Sequence, residues 1–493
     1  MEMSSISVAA SGANRERLAE AWPIKELASL AVAFLLLFGI HFAPTLPGLK
    51  PEGQNVLAVF VWFILCAAFE SLPRAVLGLA APMLVVVLAG YKIPDAFSAF
   101  ADSQSFLAIG AFVFAAIMMS TPLGRRVALL VTNSLKSTRA TKVMAGLSAS
   151  VVMIGVVLPV VNESALFLPL AKGVTSLMRG REHLPESKRL NTALILLVCG
   201  VIPLYHGPLF LTSAFSNIML VGNLAQSINV HISWAQWLLF NLPLWGLLPI
   251  AFFYVLWFFK IGNAHIPGAD EELPKMKQEL GRISWPEIWT AVCLLIGLLL
   301  WITQGSLHNI DAGMVALIIV TLVFLPFGKL KFGEVSRHIM WDIWVLLGGA
   351  ISLSGALYKS GLAAWVAAFV VAPLKGADLN PLLVLLIIVF GFHIARAGIV
   401  SMVAAGAVFI PLTIAVAQNL GLNVLPFSLI VTNALSYALF LPISITAFMI
   451  AWGASGASGG SVIKFGVLLS IISNLYVIFV QSAWLALLGY PLK

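Results

Sequence analysis

Charge is what this chain has least of. Asp, Glu, Lys and Arg make up 10% of its 493 residues against 60% hydrophobic residues, and mean hydropathy is +1.02. No water-soluble domain needs so much apolar surface, which sets aside a soluble enzyme. The net charge of +8 sits in short loops beside apolar runs, where Lys and Arg mark a membrane flank rather than a nucleic-acid surface. Cysteine is nearly absent. Cys66, Cys199 and Cys293 lie singly inside apolar runs, giving neither a disulfide framework nor a metal site. HExxH and GxxxxGK[ST] are missing, and with them zinc-protease and ATP-driven machinery. Residues 1–23 lack the h-region and cleavage site of a signal peptide and read as a cytoplasmic tail.

What is present is apolar sequence in bilayer lengths. Eleven spans fall near 24–42, 54–72, 75–91, 103–120, 191–226, 233–259, 288–304, 311–327, 341–358, 425–453 and 463–490. In lipid such runs must be helices, which satisfy their own backbone groups. With the tail inside, the basic connections 121–142, 172–190, 260–287 and 328–340 all fall inside, and the carboxyl terminus falls outside. The expected setting is the cell inner membrane.

The chain also repeats itself. SQSFLAIGAFVFAAIMMSTPLGRRVA from Ser103 answers WDIWVLLGGAISLSGALYKSGLAAWVA from Trp341, with Gly110-Ala111 matching Gly349-Ala350 239 residues on. The FLPL around Pro169 matches the FIPL around Pro411. The stretch 121–142 carries Arg125, Arg126, Lys136, Arg139 and Lys142, whereas its counterpart 360–380 carries only Lys375. The two copies therefore face opposite sides of a bilayer, as in inverted-repeat carriers. Segments 143–171 and 381–413 begin and end on one side and are too short to cross twice. They read as re-entrant hairpins, with tips near Pro159 and Gly398. Gly207-Pro208 and Pro442 break the spans that follow. The expected fold is an all-α polytopic membrane protein: eleven transmembrane helices plus two re-entrant hairpins in an inverted repeat. A first repeat covers 24–259, a cytoplasmic linker 260–287 and a second repeat 288–493.

Arg396 stands at the second tip. An ionised guanidinium at that depth reads as a clamp on a substrate carboxylate, or else as a structural ion pair or a snorkelling surface residue. Glu163, past the first tip, reads as a partner of Arg396 in the empty carrier or as a proton carrier, against a fixed salt bridge or a helix cap. Asn162 and Ser164 flank it, with local capping the alternative for Ser164. Ser401, Asn217, Thr432 and Asn433 complete the substrate-binding set. Thr212, Ser213, Ser216, Ser444 and Thr446, at the helix breaks, are the cation-binding candidates, with helix packing the bland alternative. His206 and His393 read as satisfied buried histidines, and Glu70 and Arg74 as surface residues bracketing an inner loop.

The block from Trp341 to Leu362 resembles the W-D-x-x-x-L-x-G-G-x-x-L-x-x-A-L-x-x-[TS]-G-L signature of the divalent anion:sodium symporter family. ALFLPLA and AVFIPLT resemble its hairpin exits, and LTSAFSNIM resembles the 2-oxoglutarate/malate branch. The likeness runs over roughly residues 50–490. It implies a homodimer whose scaffolds hold moving transport domains that carry di- or tricarboxylates, or sulfate, with Na⁺ in an elevator motion. The chain departs from the family at the tips. Where the family has Ser-Asn-Thr, this chain has Pro159-Val160-Val161 and Ser401-Met402-Val403, and its T-P-P-N-like turn is replaced by Ile445-Thr446-Ala447-Phe448. Asn217 keeps the first-half asparagine.

Together these features predict a secondary transporter of di- or monocarboxylates, coupled to Na⁺ or H⁺, with no cofactor. The alternatives are exchange without ion coupling, an anion channel or an intramembrane enzyme. The expected partners are a small organic anion, the lipid bilayer and a second copy of the chain, with no nucleic acid.

Overall fold

The computed structural model describes residues 24–178, 184–374, 379–396, 399, 402–441 and 444–493. The described residues are helical apart from turns and two isolated bridges. The first three apolar runs form α1 (Ile24–Phe42), α2 (Pro51–Ala68) and α3 (Arg74–Ala89). Next come α4 (Ser103–Ser120), capped by the Asp102 carboxylate on Gln104 N–H, and α5 (Leu123–Ser134). A hairpin of α6 (Ala140–Gly155) and α7 (Val160–Ser176) follows. After it stand α8 (Pro185–Leu209), which loosens to a π-turn at Leu197–Val201, α9 (Phe215–Ile228), α10 (Trp234–Phe240) and α11 (Leu242–Phe258). The linker holds α12 (Ala269–Glu279).

The second half opens with α13 (Trp285–Thr303), α14 (Ala312–Val323), α15 (Trp341–Lys359) and α16 (Leu362–Val371). It continues with a hairpin of α17 (Pro381–Arg396) and α18 (Met402–Asn419), the broken pair α19 (Val424–Ser436) and α20 (Thr446–Ser455), and α21 (Gly459–Leu487). Eight of these helices are long and apolar enough to cross a membrane, or nine if α10 and α11 count as one bent span.

Small residues decide how the halves interlock. α3, from the first half, packs on α15 of the second, and α14, from the second half, packs on α4 of the first. At the first crossing Gly349 lies against the Gly78 carbonyl, and at the second Gly110 lies against Ala316. Gly110 and Gly349 are the matched positions of the two copies. Gly78 and Ala316 are 238 residues apart, nearly the same offset. Close backbone approach of this kind needs residues with little or no side chain.

Three expectations change. The connections 121–142 and 360–380 are not plain loops, since each holds a helix, α5 and α16. The hairpin arms outrun the expected ~14 residues. α6 and α7 have 16 and 17 residues, about 24 and 26 Å at ~1.5 Å per residue, and the 18-residue α18 is long enough to cross by itself. α18 extends because the uncharged stretch after Thr413 lets the helix continue through Asn419. The span 233–259 is not straight either: it bends by 57° at Asn241, ahead of Pro243. The tip near Gly398 and the break at Pro442 lie outside the described residues.

One string, Gly456-Ala457-Ser458-Gly459-Gly460, has the spacing of a hydrolase nucleophile elbow. Here it is a helix–helix turn. Gly456 ends α20 at φ 68° and Ser458 precedes α21, with no strand before it, so the strained strand-to-helix corner of that motif is not formed.

Candidate substrate cleft between the two hairpins

Four helix starts meet in one cleft. Val160 (start of α7), Phe215 (α9), Met402 (α18) and Thr446 (α20) all line an open space of about 880 Å³, mouth included. Two belong to the hairpins and two to the helices after the breaks, one of each from each half. The first N–H groups of a helix lack intrahelical partners, so helix starts favour anions. Most of the lining is apolar, with Ser213, Ser436 and Thr446 contributing hydroxyls.

The mouth carries the charge. Arg74 and Glu70 both line it, and Arg74 lies 3.5 Å from Glu70 and 3.9 Å from Asp342, all three about half exposed or more. Reading Glu70 and Arg74 as plain surface residues missed this, because nothing in the sequence shows that the start of α3 and the start of α15 share a rim.

A smaller recess adjoins the cleft, sharing Met402 and Ser436 with it. Arg396, Ser216 and Thr432 line it, all buried. Arg396 Nε, Ser216 Oγ and Thr432 Oγ1 have no hydrogen-bond partner among the described residues. The other guanidinium nitrogens are engaged. One donates to Leu435 O at the end of α19, and another lies 3.4 Å from Ser444 O and 2.8 Å from Met402 Sδ. Arg396 thus ties the second hairpin to the second break through loose carbonyls, and it has no carboxylate partner among the described residues.

Glu163 does not pair with Arg396, which is one of the readings the sequence leaves open; its partner is His206. Glu163 is fully buried one turn into α7, in direct contact with His206 Nε2 at the end of the α-helical part of α8. The pair fits because residue 155 is glycine: a Cβ there would overlap both His206 and Glu163. Arg396 is on the opposite hairpin, occupied by carbonyls.

The remaining candidates sort by what their polar atoms touch. Thr212 Oγ1 donates to Val156 O at 2.7 Å, Ser213 Oγ donates to Gly155 O, and Val160 N–H donates to Ser213 O at 3.0 Å. The segment across the first break therefore caps the carbonyl end of α6 and laces the hairpin tip to α8. Asn217 Nδ2 bridges Gly207 O and Phe210 O at 2.9 and 2.8 Å, which holds the break open. Asn433 faces Asn241 and Gln481, at 2.6 and 3.2 Å, in a polar knot that also holds the α10–α11 bend. It lines neither the cleft nor the recess.

Ser164 back-bonds to Val160 O within its own helix. Asn162 is buried, its side chain reaching, among the described residues, only Met119 Sδ at 3.7 Å. Ser444 Oγ accepts from Leu441 N–H, forming the turn before α20. His393 meets Asn474 at 3.1 Å. Ser401 lies outside the described residues.

Sequence comparison places these features among transporters. The chain is 25% identical over 476 residues to a membrane protein of Cupriavidus necator, covering 92% of this chain and 91% of the relative. It is 25% identical to the sodium-dependent dicarboxylate transporter SdcS of Staphylococcus saprophyticus, covering 88% and 86%. It is also 25% identical to the citrate/succinate antiporter of Escherichia coli, covering 79% and 83%. The fold is similar to that of the YdaH transporter of Alcanivorax borkumensis, with TM-score 0.52 and 15% identity over 88% of this chain and 99% of that one. It is similar too to MtrF of Neisseria gonorrhoeae, with TM-score 0.50 and 16% identity over 94% and 99%. With residues 24–490 matching the sodium:sulfate symporter transmembrane region, the chain belongs to that family: it is a multi-pass membrane transport protein, not an enzyme.

Proposed function

We propose that the chain is a secondary carrier of organic anions, di- or monocarboxylates, which bind between the two hairpins. The observation that carries this reading is the recess: three buried donors without partners among the described residues, Arg396 Nε, Ser216 Oγ and Thr432 Oγ1, beside a cleft where four helices start. Buried polar groups are rarely left unpaired, and a carboxylate supplies acceptors for all three donors. The remainder of the anion lies in the cleft against the helix starts. The relatives named for dicarboxylates, citrate and succinate support the same substrate class.

The two repeats, eleven crossings and re-entrant hairpins belong to this proposal. So do the inner membrane, the cytoplasmic amino terminus and the external carboxyl terminus. On that parity the rim of Glu70, Arg74 and Asp342 is cytoplasmic, and the cleft opens inward. α6–α9 and α17–α20 move as one body against the scaffold in an elevator motion, within a homodimer. Na⁺ is the driving ion that the family and SdcS suggest. Obligatory exchange is the second reading, favoured by Arg396, whose fixed charge already occupies the second-break carbonyls that a Na⁺ would use.

Proteoliposomes loaded with succinate test this. Saturable counterflow of labelled succinate is expected, competed by other dicarboxylates. An unsaturable conductance would make the protein a channel, and the absence of any succinate flux would remove the substrate assignment. Uptake that requires internal anion and ignores Na⁺ selects exchange.

A further inference from the structure

The break of the first half holds a second buried group that the anion site leaves unexplained. Glu163 and His206 are completely buried and in contact, and the remaining carboxylate oxygen, Oε1, and the remaining ring nitrogen, Nδ1, have no hydrogen-bond partner among the described residues. The pair lies one layer behind the cleft wall. Glu163 is one turn past Val160, His206 is next to Gly207, and both Val160 and Gly207 line the cleft. Gly207 is packed so closely on Val160 that a Cβ there would stand 2.9 Å from its Cγ2.

We propose that Glu163 and His206 form a proton-binding site, closed by Val160 on Gly207, that takes up one proton when an anion enters the cleft. The proposal rests on the cleft being the anion site. With one proton the pair is neutral, as carboxylate and imidazolium or as carboxylic acid and imidazole. The transported proton comes from water in the cleft when Val160 moves off Gly207. It adds to the carboxylate while the ring keeps its own proton, so the site becomes a carboxylic acid beside an imidazolium, with net charge +1. An anion on the other side of the Val160 wall stabilises that charge and is partly neutralised by it. Intramembrane charge is costly, so the loaded pair and the anion cross together more readily than either alone. Release on the far side returns the proton to water and the pair to neutrality.

Other titratable groups on the packed elements do not take this role. Lys142 on α6, Lys172 on α7, Arg125 on α5, and Glu186, Lys188 and Arg189 on α8 are exposed. Arg126 on α5 is bound to Glu287 at 2.8 Å. Tyr205 is next to His206, but its hydroxyl bonds Ser473 at 2.5 Å. Tyr254 on α11 donates to Phe465 O at 2.9 Å. Tyr437 approaches Tyr205 O at 3.5 Å. Cys199 is a buried thiol on the π-turn. Arg396, on the other hairpin, is held by carbonyls.

The test uses the full chain in weakly buffered proteoliposomes, with succinate as the probe. Wild-type succinate entry should alkalinise the outside medium, and uptake should rise as outside pH falls, by up to about tenfold per pH unit, the limit for one linked proton. Glu163→Gln and His206→Gln should both lose the proton movement and flatten the pH profile relative to wild type, and their succinate affinity by calorimetry should no longer rise as pH falls. Because succinate ionises identically in every sample, only the difference between profiles reports the site. Net succinate entry in the wild type without proton movement overturns this proposal and leaves the cleft assignment standing. So does a Glu163→Gln profile that matches wild type. No succinate counterflow in the wild type overturns the cleft assignment itself.

Discussion

At the residue scale, buried polar atoms divide into those that hold the break and those that wait for a ligand. Asn217 belongs to the first kind, since its amide satisfies two carbonyls that the broken helix has released. Asn217→Ala strands both, at about 1–3 kcal/mol each, whereas Ser164→Ala removes only a local back-bond and should cost about 1 kcal/mol or less. Thermal melting in detergent should rank the two in that order, and equal melting points would remove the structural role given to Asn217. Arg396 does both jobs. Lys carries its donors on one nitrogen and lacks the planar fork that spans the carbonyls and the recess together, so Arg396→Lys should reduce succinate uptake at least about tenfold. Wild-type uptake by that variant would take Arg396 out of the site. The rim arginine acts at longer range. Arg74→Gln should slow uptake mainly at low ionic strength, because its half-exposed charge is screened by salt.

At the element scale, glycine sets how close two helices come. A methyl group at residue 349 would press on the Gly78 backbone, which cannot turn aside as a side chain can. Gly349→Ala should therefore separate α3 from α15 and cost roughly 1–3 kcal/mol or more. Gly391→Ala on α17, where a Cβ meets nothing within 4 Å, should be neutral or slightly stabilising. If both variants melt like the wild type, the crossing is looser than it looks. The hairpin tip obeys a different rule. Pro159 stops α7 from continuing back into α6, and the released carbonyls of Gly155 and Val156 then require the hydroxyls of Ser213 and Thr212. Break and tip form one interlocked element.

At the scale of the whole molecule, the proposal depends on the two halves having opposite orientation. The three cysteines are all buried, so a single introduced thiol is the only one open to a membrane-impermeant maleimide. Ser134, after the basic face of α5, and Ala372, at the end of α16, are both exposed. Ser134→Cys should be labelled only from the cytoplasmic side and Ala372→Cys only from outside. Labelling of both from one side would end the inverted-repeat reading and with it the carrier geometry.

Periodic apolar length, the lysine and arginine of the loops, and the prolines and glycines are local signals. The sequence alone was therefore enough to read the membrane class and the first break at Gly207-Pro208. Contacts between distant segments leave no such mark. That Glu163 meets His206 rather than Arg396, that Asn433 turns into a knot with Asn241 and Gln481, and that Arg74 sits at the rim of the cleft were decided by tertiary packing. Which buried polar group faces which depends on how helices far apart in the chain cross, and that is set by side-chain volume at the crossings, such as the missing Cβ at Gly155 and Gly349, rather than by the polar residues themselves.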